Sequence, residues 1–316
     1  MVKLFVMVGL PGSGKSTKAQ QLAEAHNALI FSSDAYRKKL FNDENYQGNK
    51  ELLFTTLYKD MHEALSSGRN CIMDATNMTR KSRLGIFNQT KGIANIQYIA
   101  YVMRTPYTEC IVRDSVRERV AGREVVDKFY LGFQFPQVFE GFHRILIDDL
   151  FSHSVDARLY LEKLGKDMSG FEQGNPHHIF DLFTHCQKLA ENYSRDREEH
   201  VAGLYHDIGK LYTQSYDDKG IAHYYGHDGV GAYEFLHTIE FWIEKGFSHE
   251  EICEIIFLIN YHMKAHRDLR GEKAAAKYKK IFGEDRYNKL IHFADCDMKA
   301  SGTFNDYAKI KSSMQG

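Results

Sequence analysis

The most constraining feature of this sequence is a glycine-rich loop near its beginning. Residues 9–16, Gly-Leu-Pro-Gly-Ser-Gly-Lys-Ser, fit the pattern G-x-x-x-x-G-K-[ST] at every fixed position. The loop follows a continuous apolar run at residues 3–8, which is typical of a buried parallel strand, and it precedes a helical pattern at residues 15–26. A strand, this loop and a helix in that order predict an α/β domain.

The loop contains the groups needed to bind the phosphates of a nucleoside triphosphate such as ATP. Its glycines let the backbone curl so that successive N–H groups face phosphate oxygens, and the following helix adds its positive N-terminal end. Lys15 is placed to reach the β and γ oxygens, and Ser16 is placed to ligate Mg²⁺. We therefore predict an ATP and Mg²⁺ site formed by Gly9, Gly12, Ser13, Gly14, Lys15, Ser16 and Thr17.

The pattern of apolar residues changes in the middle of the chain. Before residue 150, short strands alternate with helices, which together with the glycine-rich loop predicts an α/β P-loop domain whose parallel sheet is covered by helices on both faces. After residue 150 the strand signal nearly vanishes, and helical patterns predict an all-α domain. Glycine-rich turn signals place the joint between them. We divide the chain into a P-loop domain at 1–150, a linker at 151–174 and a helical domain at 175–316.

Composition narrows the setting in which the protein works. Five scattered cysteines without a C-x-x-C pair indicate a reducing compartment, and no apolar run approaches the ~20 residues of a membrane span. A cytoplasmic protein without membrane association is therefore expected. Residues 1–150 carry 20 Lys+Arg against 16 Asp+Glu, or +4, and the remainder carries 21 against 26, or −5. A mildly basic first half is compatible with a nucleic-acid substrate, and a solvated surface explains the same count.

Polar residues after the second and third predicted strands are candidates for catalysis. Asp34 and Arg37 follow strand two, and Asp74 follows strand three, at the sheet edge where α/β proteins bind ligands. Asp34 is predicted to accept the proton of an acceptor hydroxyl and Arg37 to hold a phosphate of that acceptor. Asp74 is predicted to contact the Mg²⁺ shell or the hydroxyl. Helix capping by Asp34 and turn chemistry at Asp74 are the alternatives.

Arginines in the helix that follows the fourth predicted strand are candidates for a lid. Arg113 and Arg117 are four residues apart, so on one helix they would share a face and neutralise the transferring phosphoryl group. The alternative is a solvated face with ion pairs to Asp114 and Glu118.

Taken together, these segments resemble the phage-type polynucleotide 5′-hydroxyl kinases. The resemblance covers most of residues 1–150 and includes Asp34–Arg37, Asp74–Asn77 and the arginines. It implies that Asp34 is the general base, that Arg37 grips the 3′-phosphate side of the acceptor, and that Arg117 and Arg113 contact the donor phosphates. Related P-loop kinases act on small molecules.

The second half is rich in histidine, with 12 of the 16 histidines after residue 170. His185, the adjacent pair His206 and Asp207, and Asp295 lie on three separate predicted helices and are the candidate metal ligands. Asp297 is the alternative to Asp295 as a ligand, because on a helix the two side chains would point about 200° apart. Imidazole and carboxylate ligands suit Mn²⁺, Fe²⁺, Co²⁺, Ni²⁺ or Zn²⁺, and such an ion activates water and clamps a phosphate.

Residues 171–302 resemble the HD phosphohydrolase superfamily, especially the HD domains attached to tRNA-processing enzymes. The resemblance runs from Asn175-Pro-His-His through His206-Asp207-Ile-Gly-Lys210 to Ala294-Asp295. It implies that His185, His206, Asp207 and Asp295 hold the principal metal, that His227 and His262 serve a second metal or contact phosphate, and that Lys210 orients the scissile phosphate. For His227 and His262, a structural role in the core is the alternative.

The combination resembles the bifunctional HD-domain polynucleotide kinase/phosphatases of bacteria, whose best-known arrangement has the HD domain first, whereas this chain has it second. It implies an enzyme that heals the ends of RNA, or of DNA, and that a nucleic-acid ligase acts downstream to join the healed ends. The kinase domain would phosphorylate 5′-hydroxyl ends, and the HD domain would remove a 2′,3′-cyclic phosphate or a 3′-phosphate. Two alternatives remain: a small-molecule or nucleotide kinase fused to an HD nucleotidase, and a nucleotide-sensing regulator.

Overall fold

The computed structural model describes residues 1–43, 46, 48–117, 119–148, 155–175 and 178–302. Outside these ranges lie Glu118, which was expected to pair with an arginine, and two residues of the histidine-rich motif, Pro176 and His177. The chain divides into two compact units. The first contains residues 1–130 and 136–153, and the second contains residues 131–135 and 154–316.

The first unit contains a five-stranded sheet among its described residues. Its strands are β1 (Val2–Val8), β2 (Ala28–Ser32), β3 (Asn70–Asp74), β4 (Ile96–Val102) and β5 (Arg144–Ile147). They are ordered β2-β3-β1-β4-β5, and all neighbours pair in parallel. The prediction of a parallel sheet is confirmed. The strand β5 was not predicted, because its four residues are too few to give a periodic signal.

Helices connect and flank these strands. They are α1 (Lys15–His26), α2 (Ser33–Phe41), α3 (Lys50–Ser66), α4 (Arg80–Gln89), α5 (Tyr107–Val116) and α6 (Arg123–Leu131). Ala19 of α1 packs on Phe5 and Met7 of β1, while the alternate side chains Leu4 and Val6 are buried on the opposite face of the sheet. The helix α3 is capped by Asn49, whose side chain accepts a hydrogen bond from the Leu52 N–H. It buries an apolar stripe made of Leu53, Leu57, Met61 and Leu65.

The strand order places a cleft beside the glycine-rich loop. The chain leaves β1 toward β2 on one side and leaves β3 toward β4 on the other, although β1 and β3 are neighbours. In parallel sheets, ligands bind outside the carboxyl ends of two strands whose connections diverge in this way. The residues that follow β1 and β3 are therefore brought together at a candidate ligand site.

The described residues of the second unit are mostly helical. Its helices are α7 (Ala157–Met168), α8 (Leu182–Glu191), α9 (Arg197–Tyr205), α10 (Lys210–Thr213), α11 (His227–Phe235), α12 (Ile239–Glu244), α13 (His249–Arg267), α14 (Glu272–Phe282) and α15 (Glu284–Ala300). Between α10 and α11 lies a short antiparallel hairpin, made of β6 (Ser215–Tyr216) and β7 (Ala222–His223). The helix α13 starts with a reciprocal cap, in which Ser248 Oγ accepts from the Glu251 N–H and the Glu251 carboxylate accepts from the Ser248 N–H.

Residues 131–135 belong to this second unit, which a division of the sequence at residue 150 did not anticipate. The Asn260 side chain of α13 explains their placement. Its oxygen accepts a hydrogen bond from the Phe135 N–H at 2.8 Å, and its amide donates to the Phe133 carbonyl at 2.9 Å. A buried amide that satisfies both a backbone donor and a backbone acceptor ties this segment to α13.

The helical pattern predicted at residues 197–212 is interrupted in the structure. The helix α9 ends at Tyr205, and four residues of turn, His206–Gly209, precede α10. A Cβ atom on Gly209 would lie 2.0 Å from the His227 carbonyl oxygen and 2.7 Å from the Gly231 nitrogen. Glycine at this position therefore allows α11 to approach the turn and brings His227 next to Asp207. In the described part of the chain, every helix is too short or too polar to cross a membrane.

Candidate functional sites

The glycine-rich loop of the first unit is shaped by the backbone. Gly12 and Gly14 have φ values of +79° and +84°, which favour glycine, and a Cβ atom on Gly12 would lie 2.3 Å from the Cys110 carbonyl oxygen. The Thr105 hydroxyl donates a hydrogen bond to the Ser13 carbonyl at 2.9 Å and fixes the loop from the end of the neighbouring strand. The loop leads directly into α1, whose N-cap is Gly14.

Lys15, Ser16 and Asp74 meet at the carboxyl ends of β1 and β3. The Lys15 ammonium donates to the Leu10 carbonyl at 2.6 Å, and the Ser16 hydroxyl donates to the Asp74 carboxylate at 2.8 Å. Burial lowers the pKa of Lys15 to about 8, although Asp74 acts in the opposite direction. The hydroxyl and carboxylate oxygens are hard donors that fit Mg²⁺. Gly9 and Thr17 complete the predicted set, at the start of the loop and on the exposed surface of α1 respectively.

The loop after β3 is held in place by a buried ion pair and by hydrogen bonds of Asn77. Arg83 and Glu140 are fully buried and form a two-pronged ion pair with distances of 2.7 and 2.8 Å, and Arg83 also donates to the Asn77 carbonyl at 2.9 Å. The Asn77 amide donates to the Met7 carbonyl of β1 at 2.8 Å. This network fixes the turn after Asp74 relative to β1.

Asp34 lies in the first turn of α2 and is held by arginines. Arg37 Nη1 donates to its Oδ1 at 2.7 Å, and Arg119 forms an ion pair with its Oδ2. The N-cap of α2 is Ser32, so the capping alternative for Asp34 is not observed. The Nε of Arg37 is buried and has no hydrogen-bond partner among the described residues. Sequence reasoning did not select Arg119, because only the fold brings it to Asp34.

Arg113 and Arg117 do not continue one helical face as predicted. The helix α5 ends at Val116, and Arg117 has extended backbone angles of −81° and 157°. Arg113 forms an ion pair with Glu109, and Arg117 forms one with Asp114. The pairing of an arginine with Asp114 is what the alternative interpretation, a solvated helix face with ion pairs, predicted. Arg117 is nevertheless close enough to Lys15 for its charge to lower the pKa of that ammonium group. Of the two, Arg117 is therefore the one whose charge acts on the glycine-rich loop.

In the second unit, histidines and aspartates from different helices converge on one buried cluster. His185, His206 and Asp297 form one group of three, and Asp207, His227 and His262 form another, with the ligand atoms in each group within 4.8 Å of one another. Asp207 connects the groups. Its Oδ2 lies 3.3 Å from His185 Nε2 and 3.2 Å from His206 Nε2, while its Oδ1 lies 3.2 Å from His227 Nε2 and 3.5 Å from His262 Nε2.

Hydrogen bonds to the backbone set the tautomers of three of these histidines. The Nδ1 atoms of His206, His227 and His262 lie 2.9, 2.6 and 2.7 Å from the carbonyls of Gly203, Tyr224 and Ile259. A carbonyl can only accept, so each Nδ1 carries the proton and each Nε2 offers a lone pair to the cluster.

The cluster fits a divalent cation. The Nε2 atoms of His227 and His262 face one another at 3.2 Å, an arrangement of two lone pairs that requires a proton or a metal between them. With metal–nitrogen bonds of about 2.1 Å, neighbouring ligands are separated by about 3.0 Å in octahedral and about 3.4 Å in tetrahedral geometry. His185 Nε2 lies 3.0 Å from Asp297 Oδ1 and 3.2 Å from His206 Nε2, which agrees with this range.

The electrostatics of the cluster also favour positive charge. Burial alone lowers the pKa of His185, but hydrogen bonds with Asp207 and Asp297 raise it to about 9. Despite burial, the neighbouring cationic groups hold the pKa values of Asp207 and Asp297 well below the usual range. Two ionised carboxylates in a buried site need compensating cations, and a divalent metal supplies that charge when the histidines are neutral.

The structure corrects the assignment of Asp295. Asp295 forms an ion pair with Arg270 at 2.7 Å, outside the cluster, whereas Asp297 lies inside it and also contacts His266 Nε2 at 2.8 Å. The buried positions of α15 include Tyr287, Leu290, Phe293, Ala294 and Asp297. That three-to-four spacing was visible in the sequence and places residue 297 on the buried face of the helix.

Lys210 lies at the entrance of the cluster. Its ammonium group lies 2.7 Å from Asp207 Oδ2, 2.7 Å from Gln173 Oε1 and 3.2 Å from His178 Nε2. A pocket of about 650 Å³ opens over Lys210, Asp207, His227 and Asp297. A cation beside buried acidic ligands and an open pocket is suited to an anionic substrate.

Comparisons with known proteins support the fold of the first unit. Residues 4–136 match the family model described as AAA domain. The N-terminal unit therefore has a P-loop kinase-like fold, which supports a phosphotransferase that uses a nucleotide and Mg²⁺. The comparison with curated proteins gives no match.

Similar solved structures align with part of the chain. A chain of the Pnkp1/Rnl/Hen1 RNA repair complex is 25% identical over 40% of this chain and 42% of its own length, with a TM-score of 0.36. A sugar kinase from Janibacter is 15% identical over 46% of this chain and 86% of its own, with a TM-score of 0.36. Shikimate kinase from Acinetobacter baumannii is 18% identical over 46% and 83%, with a TM-score of 0.32.

Proposed function

We propose that this protein heals nucleic-acid ends by adding a phosphate at one end and removing phosphate at the other. One observation carries the proposal: a single chain holds a phosphate-binding loop in one unit and two metal-ligand groups joined by Asp207 in the other. Cleaved RNA with a 5′-hydroxyl and a 2′,3′-cyclic phosphate needs both changes before a ligase can rejoin it. The second unit is accordingly proposed to be an HD-type phosphohydrolase domain.

In the first unit, the γ-phosphoryl group of ATP is transferred to the 5′-hydroxyl oxygen. A new P–O bond forms to that oxygen, the bond between the β,γ-bridging oxygen and the γ-phosphorus breaks, and ADP leaves. The Asp34 carboxylate accepts the hydroxyl proton, and Arg37, which lies next to Asp34, binds a phosphate of the acceptor. Lys15 and Arg117 neutralise charge on the donor phosphates, and Ser16 and Asp74 would hold Mg²⁺.

In the second unit, water replaces an ester oxygen on the terminal phosphorus. Opening the cyclic phosphate breaks one P–O bond and leaves a monoester, and a second hydrolysis releases inorganic phosphate and the 3′-hydroxyl. His185, His206, Asp207 and Asp297 would hold one divalent ion, and His227 and His262 would hold a second that shares Asp207. Such ions supply Lewis acidity and activate water. Lys210 orients the phosphate at the pocket entrance.

The direct test uses one RNA oligonucleotide with a 5′-hydroxyl and a 2′,3′-cyclic phosphate. The oligonucleotide is incubated with the protein, ATP, Mg²⁺ and Mn²⁺ or Ni²⁺, and the product is weighed by mass spectrometry. We expect gain of a 5′-phosphate and loss of the 3′-terminal phosphate group. Lys15→Met should remove only the first change and His206→Ala only the second.

Other products would point to the other functions. Unchanged RNA, together with ATP consumption when nucleosides or sugars are added, would assign the protein to metabolite kinases with a nucleotidase partner. Tight ATP binding without phosphate transfer to any acceptor would indicate a nucleotide-sensing regulator.

A further inference from the structure

The hairpin β6–β7 links two parts of the proposed hydrolase site. It follows α10, which begins with Lys210, and it leads into α11, which begins with His227. Asp217 closes its turn, because its Oδ1 accepts hydrogen bonds from the Lys219 and Ile221 N–H groups, both at 2.9 Å. An aspartate that satisfies two backbone donors makes this turn well defined.

Tyr224, directly after the hairpin, is anchored by its hydroxyl. This hydroxyl donates to the Gln173 carbonyl at 2.6 Å and accepts from the Gln214 amide at 2.8 Å. The next residue, Tyr225, is 73% exposed. Its ring stacks on the His223 ring with centroids 5.5 Å apart and planes only 4° apart, and His223 Nε2 lies 3.2 Å from Asp217 Oδ2. The His223 imidazole therefore supports one side of the Tyr225 ring, while most of the tyrosine side chain stays open to solvent.

A single exposed tyrosine is common on protein surfaces, but Tyr225 lies in a particular place. Tyr225 and His223 line the same pocket of about 650 Å³ as Asp207, Lys210 and His227. Only Gly226 separates Tyr225 from His227, so their Cα atoms are at most about 7 Å apart. One nucleotide can therefore place its phosphate at the metal ligands and its base at the Tyr225 ring, since both groups are attached to the same sugar.

We propose that Tyr225 is a stacking platform for the base of the terminal nucleotide, and that His223 is a positioning residue that supports it. The assignment of the phosphate to the metal ligands rests on the proposed function. A stacked aromatic ring accepts every base, because each base has a π face, so the platform selects nucleotides over other phosphate esters without selecting a sequence.

Binding of two uncleavable ligands tests the platform. One is an analogue of a nucleoside 3′-phosphate in which a methylene group replaces the bridging 3′-oxygen, so that it cannot be hydrolysed. The other is the same ribose phosphonate with a hydrogen atom in place of the base. With metal-loaded protein, we expect calorimetry to show that the base strengthens binding about 5–150-fold. Tyr225→Ala should remove this preference without changing the affinity for the base-free ligand, and Tyr225→Trp should retain it.

Tyr216 provides a matched control. It belongs to the same hairpin and is 60% exposed, but it does not line the pocket. Tyr216→Ala should keep the full preference for the base. Equal affinities for the two ligands in the unaltered protein, or a preference that survives Tyr225→Ala, would overturn the platform.

The RNA assay separates failure of this inference from failure of the proposed function. Removal of the terminal phosphate by a protein that shows no base preference would retain the hydrolase and reject the platform. A base preference that depends on Tyr225, together with an intact 3′ end, would retain the platform and reject the hydrolase activity on RNA.

Discussion

The two candidate sites are built by different means. In the first unit, the backbone makes the cradle: Gly12 and Gly14 adopt positive φ values, and α1 begins at the loop. In the second unit, side chains make the site. The carboxylate of Asp207, for example, contacts four histidines from four different segments of the chain, which are His185, His206, His227 and His262. A backbone cradle is encoded in a few consecutive residues, whereas a side-chain cluster is encoded across a whole fold.

This difference also affects sensitivity to substitution. A loop of N–H groups survives the loss of many individual side chains, so changes around it should affect particular steps. The buried cluster contains ionised carboxylates and histidines that compensate one another, and removal of one partner leaves uncompensated charge. We expect the largest effects in the second unit.

The largest effect is expected for Asp207→Ala, which removes one member of the group with His227 and His262 and also the carboxylate that contacts His185 and His206 of the other group. Phosphate removal should fall to the background rate and bound metal should be lost, because metal assistance contributes several kcal/mol to such reactions. Phosphorylation should be unchanged, since Asp207 belongs to the second unit. Both activities and the metal content are measured on one preparation, with Asp207→Asn as a variant of equal size. Equal loss of both activities in a folded protein would refute the division into two sites.

The next largest effect is expected for Asp34→Asn. The rate of phosphorylation should fall about 10²–10⁴-fold, because the amide cannot accept the hydroxyl proton, while ATP affinity should change little. Arg37 and Arg119 lose an anionic partner in this variant, so a thermal melt is recorded with the kinetics. Glu24→Gln, an exposed change on α1, is the control of equal charge. A normal turnover rate would remove Asp34 from the mechanism.

The same difference between a locally encoded site and one encoded across the fold decides which parts of the molecule could be predicted from the sequence. The parallel sheet and the loop from Gly9 to Ser16 were predicted because a strand, a glycine pattern and a helix are adjacent in sequence. The encounter of Arg119 with Asp34 was not predicted, because these residues are far apart in sequence and Arg119 lies beyond the end of α5. For the cluster, the residue types were informative, but the choice between Asp295 and Asp297 depended on which face of α15 is buried.

A pair of variants sharpens that choice. Asp297→Asn should lower metal affinity at least about 10–100-fold, the range seen when even outer partners of metal ligands are changed. Asp295→Asn should leave metal affinity unchanged, because Asp295 is paired with Arg270 outside the cluster. Competition with a chelator, followed by metal analysis, measures both. An equal loss in the two variants would mean that the effect is structural, and a loss only in Asp295→Asn would reverse the assignment.

The smallest effect concerns the pH dependence of ATP binding at the backbone-built site. Burial lowers the pKa of Lys15 to about 8, so this ammonium group loses its proton in the free protein as the pH rises above that value. Bound phosphate stabilises the charged form, and ATP affinity should therefore fall as the pH rises from 8, by at most about tenfold per pH unit. Lys15→Arg, which stays charged throughout, should bind ATP with a flatter pH profile, even if more weakly. Titrations between pH 7 and 9.5 measure both proteins, and an identical slope in the two would show that another group controls the dependence.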